Sequence, residues 1–253
     1  MLDEPYRWVE AIRNRREYLE DQLRGASPVV GLCYRDGYLL LTTTPGPRKL
    51  FEIYNHVAFA AVGHPADIEK LRKAVIDIAH LEAFNLSAQD VSLNRLVNFG
   101  LGPLVKGAFD EVLRSPFTAR VLMAQLDPDA SGSPFYTVDA DGSFDRSEQI
   151  AAVAGTSEGA RAIEEWLEGE STVELPLEQA LQQGLRAWGA GRIVADLDEP
   201  RRPEAAEVEQ VLRQTLAQQR LEAAVLDRSL PTRTKFRLLA PTELEAALAP
   251  YTS

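Results

Sequence analysis

The sequence predicts an α+β fold, a four-layer αββα sandwich led by an amphipathic helix. Three observations point there. Its elements come in blocks (strands, two helices, strands, two helices, strands, a last helix), and such blocks stack as paired sheets with helices outside. Its strand candidates are almost continuously apolar, as strands covered on both faces must be. Its 253 residues, 45% hydrophobic and 26% charged, suit one large core and a single domain spanning 1–253.

The first element is a helix over residues 7–25. Trp8, Ile12, Leu19 and Leu23 fall on one stripe of a 3.6-residue period, Arg13, Arg15, Arg16, Glu17, Glu20, Asp21 and Arg24 take the other faces, and Gly25 suits the stop. The sandwich follows over 27–248. Residues 29–34 and 38–42 read as strands flanking Asp36-Gly37, whose types tolerate a tight hairpin turn. Residues 50–54 and 57–62 are two more, turned at Asn55-His56. Pro65 then opens a helix carrying Ile68, Leu71, Val75 and Ile78.

Ser87 and Asp90 have the spacing of a capping box for a second helix reaching about Leu113, and Gly100, Gly102 and Pro103 predict a kink or break in it. Strands return at 119–126 and 135–138, Asp141-Gly142 reads as a second hairpin turn, and 150–153 is another buried strand. Helices follow at 158–167 and 177–188. Residues 189–203, rich in Gly, Pro and charge, read as a loop, and 204–220 as a helix with Val208, Val211, Leu212 and Leu216 on one stripe. Strands at 221–226 and 236–239 and a helix at 242–248 complete the chain.

Charge narrows the function classes. A net charge of -11 and a pI near 4.9 oppose binding to nucleic acid or to an anionic membrane, both of which need clustered Lys and Arg. No apolar run approaches the ~18 residues of a membrane span. The acidic start Met1-Leu2-Asp3-Glu4-Pro5 lacks a signal peptide's basic and apolar regions. The lone Cys33 excludes an internal disulfide. The expectation is a cytoplasmic protein without a cofactor.

The residues alone name no active site. His56, His64 and His80 share no metal-ligand spacing, and Cys33 has no second cysteine. Cys33 reads as a small buried hydrophobe, because nothing nearby in the sequence would activate a thiol. Gly100-Leu101-Gly102-Pro103 lacks the preceding strand of a nucleotide-binding turn. The acidic pairs Glu164-Glu165 and Asp196/Asp198 read as solvated faces.

Three segments, in order, carry a resemblance. Ser27-Pro28-Val29-Val30-Gly31-Leu32-Cys33-Tyr34-Arg35-Asp36-Gly37 resembles the first hairpin of proteasome subunits. Lys49-Leu50-Phe51-Glu52-Ile53-Tyr54-Asn55-His56-Val57-Ala58-Phe59-Ala60-Ala61-Val62-Gly63 resembles their next strand pair. Leu221-Glu222-Ala223-Ala224-Val225-Leu226-Asp227, followed by Pro231, Arg233 and Phe236, is similar to the C-terminal strands of α subunits of the actinobacterial-type 20S proteasome. The resemblance runs from about Arg7 to Leu248 with a gap at about 191–220, where the predicted helix is an addition that either packs on the sandwich or docks a regulator.

The resemblance implies an Ntn-hydrolase sandwich and a choice between catalytic and non-catalytic members. Catalytic members expose a threonine at the head of the first strand, whose own amine and hydroxyl work with an Asp and a Lys. The matching positions here are Ser27, Thr43 and Lys49, so only the lysine matches, and Pro28 follows the would-be nucleophile. The leading helix likewise matches non-catalytic α subunits. Met1, Leu2, Asp3, Glu4, Pro5 and Tyr6 would form a gate toward the ring axis, without the Tyr-Asp-Arg motif of archaeal and eukaryotic relatives. Lys49 and Gly63 would line a pocket between neighbouring α subunits that receives the C-terminal carboxylate of a ring-shaped activator ATPase. Implied partners are other α subunits in a heptameric ring, β subunits, that ATPase, and unfolded protein substrates in transit. The helix broken by Gly100, Gly102 and Pro103 would pack at the contact between α and β rings. Two alternatives remain: a self-processing hydrolase using Ser27, and a homo-oligomeric scaffold.

Overall fold

The computed structural model describes residues 4–88, 90–111, 115–126 and 134–251, with side chains from Trp8 onward. Among these, two five-stranded sheets face each other. The first has the order β10-β9-β2-β1-β8, from β1 (Val29–Tyr34), β2 (Gly37–Thr44), β8 (Ile150–Val153), β9 (Arg220–Asp227) and β10 (Phe236–Leu238). The second has the order β3-β4-β5-β6-β7, from β3 (Leu50–Tyr54), β4 (Val57–Gly63), β5 (Ala119–Gln125), β6 (Phe135–Val138) and β7 (Phe144–Ser147). Every neighbouring pair is antiparallel.

Both faces of the first sheet are buried, as its apolar runs require. Val30, Leu32, Leu39 and Leu41 pack outward under α5 (Ser157–Leu167) and α6 (Leu177–Ala195), against Ile163, Leu181, Leu185 and Trp188. Val29, Leu40 and Ala224 face inward against Ala58, Ala60, Leu122 and Phe135 of the second sheet. The outer face of that sheet, with Phe59, Ala61 and Met123, is covered by Leu71 and Val75 of α2 (Pro65–Asn85) and by Leu96, Leu101 and Val105 of the segment after it. The result is the expected αββα order.

Several boundaries differ from the sequence reading. The leading helix, α1, spans Glu4–Leu23, so Glu4, Pro5 and Tyr6 form its first turn instead of a tail ahead of it. Proline is tolerated there because first-turn amides have no helical acceptor. In the first hairpin Tyr34 pairs with Gly37, making Arg35-Asp36 the turn. Gly37 is needed for another reason: a Cβ there would lie 1.9 Å from the Leu226 carbonyl oxygen.

The Ser87–Asp90 box does not start a helix. Ser87 Oγ donates to Asp90 Oδ2 at 2.6 Å, and it is Ser92 that caps α3 (Leu93–Arg95), its Oγ accepting from the Arg95 amide. A π-helical turn, Leu96–Leu101, follows and leads into α4 (Gly102–Asp110). This is the predicted interruption, expressed as a widened turn. It brings the chain close to α2, where a Cβ on Gly100 would meet Ile78 Cδ1 at 2.8 Å.

The expected loop at 189–203 is helical in its first half, because α6 continues to Ala195, and non-helical from Asp196 on. Its glycines permit close packing: a Cβ on Gly191 would lie 2.4 Å from Ile163 of α5, and one on Gly189 would lie 2.9 Å from Val208. The added helix, α7, spans Ala205–Leu216 and lays Val208 and Leu212 onto α6, so residue 220 already belongs to β9. The short β7 was missed because Phe144-Asp145-Arg146-Ser147 is exposed and has no buried stripe. The last helix, α8, spans Pro241–Leu248.

Candidate functional site

Ser27 stands at the head of β1, where sequence matching places a nucleophile. Its Oγ donates to the Thr43 carbonyl at 2.9 Å and lies 3.1 Å from Thr43 Oγ1 and 3.4 Å from Thr42 Oγ1. Thr42 Oγ1 donates to the Pro28 carbonyl at 2.6 Å, which also accepts from Trp188 Nε1 at 3.0 Å. Thr43 Oγ1 donates to Gln219 Oε1 at 2.8 Å. These bonds make a hydroxyl cluster that locks β1 to β2 and to the start of β9.

Lys49, just ahead of β3, turns inward. Its Nζ lies 3.3 Å from the Ser27 carbonyl and 3.4 Å from that of Thr43. Burial pushes its pKa down to about 8, with Glu222 partly opposing the shift. The Glu222 carboxylate, itself buried in β9, accepts from the Lys49 amide at 3.1 Å and the Leu50 amide at 3.1 Å. Glu222 thus acts on the amine only through its field, and among the described residues no carboxylate is hydrogen-bonded to either the Ser27 hydroxyl or the Lys49 amine.

α1 closes the top of this region. Leu19 and Leu23 are buried with Phe109 and Ala140. Gly63, at φ +125°, ends β4 directly below: a Cβ there would lie 2.1 Å from the Thr118 carbonyl and 2.9 Å from Leu23 Cδ2. Gly155 makes a second seat, since its Cβ would lie 2.3 Å from the Leu23 carbonyl and 2.4 Å from that of Arg24. Arg120 steadies that loop by donating to the Ala154 and Gly155 carbonyls at 3.0 and 2.9 Å while pairing with Asp139. Arg16 of α1 pairs with Asp141 at 2.9 Å.

The expected docking residues thus occupy two places at one end of the sandwich. Lys49 joins the Ser27 cluster, and Gly63 joins the seat of α1. Of the expected gate, Met1, Leu2 and Asp3 lie outside the described residues, and Glu4, Pro5 and Tyr6 begin α1. Glu222 and Gln219 were not foreseen; an acid inside the apolar strand Leu221–Asp227 was the available signal.

The remaining candidates serve packing. His64 caps α2, its Nδ1 accepting from the Ala66 amide at 3.3 Å. His56 Nε2 is 3.2 Å from the Val91 carbonyl, and His80 meets the Tyr54 ring edge-on at 5.5 Å. Cys33 is buried, with its thiol pushed up to about 12 by desolvation. Glu164 is exposed on α5, as its reading as a solvated acid expects, yet it has a particular neighbour. It lines a cleft beside Asp145, and desolvation together with that neighbour holds its carboxyl above the usual range.

A family model described as Proteasome subunit matches residues 24–192, more than half of the chain. The chain belongs to the proteasome subunit family. Similar proteins of this family include the proteasome subunit alpha of Actinosynnema mirum, 31% identical over 242 residues that make up 94% of this chain and 84% of the relative. The proteasome subunit alpha of Streptosporangium roseum is 30% identical over 249 residues, 95% of this chain and 83% of its own. That of Acidothermus cellulolyticus is 28% identical over 247 residues, 95% of each. The paired antiparallel sheets between helical layers are the proteasome-type sandwich, and its family-matched part begins at Arg24, where α1 hands over to the head of β1.

Proposed function

We propose that this chain is a non-catalytic α subunit of a bacterial 20S proteasome, assembling with its own copies and with β subunits into a cytoplasmic particle whose outer ring gates entry of unfolded substrates. The observation that carries the reading is the fit of α1 onto Gly63 and Gly155, a few residues ahead of a Ser27 whose hydroxyl is bonded to a carbonyl and, among the described residues, to no carboxylate. A catalytic member needs a free amine at that position with an acid and a lysine beside it. Here the lysine contacts carbonyls, and a threonine stands where the acid would be.

Two further features support the assembly. Leu81 and Phe84 on α2 and Phe99 on the π turn are exposed by 60%, 87% and 76%, a concentration of apolar surface that suits burial against a β subunit. Lys49 and Gly63 lie at the end of the sandwich that α1 covers, where an activator's terminal carboxylate would be received by the amine once Lys49 turns outward.

The test is co-expression with a β subunit from the same genome. The expected product is a ring-stacked particle with peptidase activity that this chain lacks by itself. Peptidase activity of the lone chain, with an intact mass showing a product beginning at Ser27, would overturn the reading. A native particle containing only this chain would favour the scaffold alternative.

A further inference from the structure

The strand orders place two charged surfaces at opposite edges of the sandwich. One edge carries β10 and β3, joined where the Lys235 amide donates to the Asn55 carbonyl at 2.6 Å and Thr234 Oγ1 bonds Glu52. The other carries β7 and β8, with α5 alongside.

The first edge is basic. Arg228 stacks over Tyr38, 5.2 Å from the ring centroid, and donates to its hydroxyl at 3.1 Å. Lys235 Nζ rests on the Leu230 carbonyl, and Arg233 is exposed at the tip between β9 and β10. Among the described residues none of these three has a carboxylate partner.

The second edge is acidic. Asp145 on β7 and Glu148 just after it are exposed, and Glu164 of α5 projects beside Asp145 into a cleft of about 510 Å³. None of the three has a basic partner among the described residues, whereas the neighbouring Asp139 and Asp141 are paired with Arg120 and Arg16. Arg146 is the one basic side chain on β7. Desolvation in the cleft, with a further push from Asp145, holds the Glu164 carboxyl above the usual range.

Opposite charges on opposite edges cannot meet within one molecule. They meet when copies stand side by side in the same sense, a head-to-tail contact that closes into a ring when the rotation allows. We propose that the basic edge of one copy, with Arg228, Arg233 and Lys235, docks against the acidic edge of the next, with Asp145, Glu148 and Glu164. The inference rests on the ring-subunit reading above and adds which surfaces touch and in which direction. It also gives the open sides of β7 and β8 a cover, which exposed edge strands need in order to avoid indiscriminate pairing.

Charge reversal tests it, with the full chain co-expressed with its β partner and the particle assayed by size-exclusion chromatography and electron microscopy. Arg233→Glu and Glu148→Arg change exposed side chains, so each folded monomer survives, as circular dichroism checks. Each alone is expected to lower the fraction in rings by about fivefold at physiological salt, the scale of one exposed pair per contact. Both in one chain restore rings, because in a head-to-tail contact the two altered residues face each other across every junction. Rings unaffected by either reversal would overturn the proposed edges and leave the α-subunit reading standing. Rings lost in the single variants and not restored in the double would also overturn the pairing. A wild-type chain that never forms a ring with β subunits would sink both readings.

Discussion

The Lys49 ammonium lies 3.3 Å from the main-chain carbonyl of Ser27, held inside the mouth of the sandwich by a serine whose own hydroxyl bonds the Thr43 carbonyl. A charge in that position is stabilised by carbonyl dipoles and by Glu222, but it has lost most of its water. The outcome is a pKa near 8 against the ordinary 10.5.

Stability should therefore depend on pH in a defined window. The folded pKa is lowered, so between about 8 and 10.5 the unfolded chain binds more protons than the folded one, and stability rises with pH there. Below about 8 the cost of burying the charge is fully present. Lys49→Met removes it and should gain up to about 3 kcal/mol at pH 7 relative to its position against wild type above pH 10, the free-energy equivalent of the shift. Chemical denaturation from pH 7 to 10 reads this directly. Parallel curves for the two proteins would contradict it.

The same amine sets an expectation for docking. Lys49→Ala should cut activator-stimulated degradation by about tenfold, the scale of a lost charge-assisted bond, while rings still form. Stimulation in the wild-type particle should also weaken as pH rises through 8, because the amine loses the charge that attracts a terminal carboxylate. Unchanged stimulation in the variant would remove Lys49 from the pocket.

Much of this architecture was legible in the sequence because burial on both faces leaves a strong signature. Val29-Val30-Gly31-Leu32 and Val57-Ala58-Phe59-Ala60 announce covered strands, and the stripe ending in Leu19 and Leu23 announces a helix that packs by its C-terminal half. Where the sequence misled, a tertiary contact set the local structure. Gly189 and Gly191 suggested a loop, yet they lie in α6 because Val208 and Ile163 press where a Cβ would stand. Gly37 suggested a turn, yet it answers the Leu226 carbonyl of a strand nearly two hundred residues later in the sequence. The Ser27 cluster was only half visible. Ser27, Thr43 and Lys49 could be aligned, but Gln219 and Glu222 arrive from β9 and its approach, and no local pattern links them to the first hairpin.

The seat of α1 can be tested without touching the cluster. Gly63→Ala would force a Cβ to within 2.1 Å of the Thr118 carbonyl at a φ of +125° and push against Leu23. A destabilisation of roughly 1–3 kcal/mol is expected, with faster hydrogen exchange in α1 than in β4. A thermal midpoint equal to wild type would mean that the helix is not seated there.

The added helix α7 packs through buried Val208 and Leu212 with Val211 and Leu216 partly buried beside them, and Leu212, fully buried, is the larger of the two buried anchors. Leu212→Ala should cost about 2–5 kcal/mol in chemical denaturation. Replacing exposed residues such as Glu209 and Gln210 on its outer face should leave stability within about 0.5 kcal/mol. If the outer-face changes abolish activator stimulation in assembled particles, the helix docks a regulator as well as packing.

The entrance can be probed from its first turn. α1 begins at Glu4, and the anchors that hold it, Leu19 and Leu23, lie near its other end. Deleting residues 2–6 therefore removes the segment proposed as gate and leaves the seat over Gly63 and Gly155 intact. Assembly should persist, since none of the residues that fix the helix is lost. Basal hydrolysis of a small peptide by the assembled particle should rise several-fold, and the further stimulation by an activator should shrink to match, because the barrier it opens is already gone. An unchanged basal rate in a fully assembled particle would mean that some other segment closes the ring.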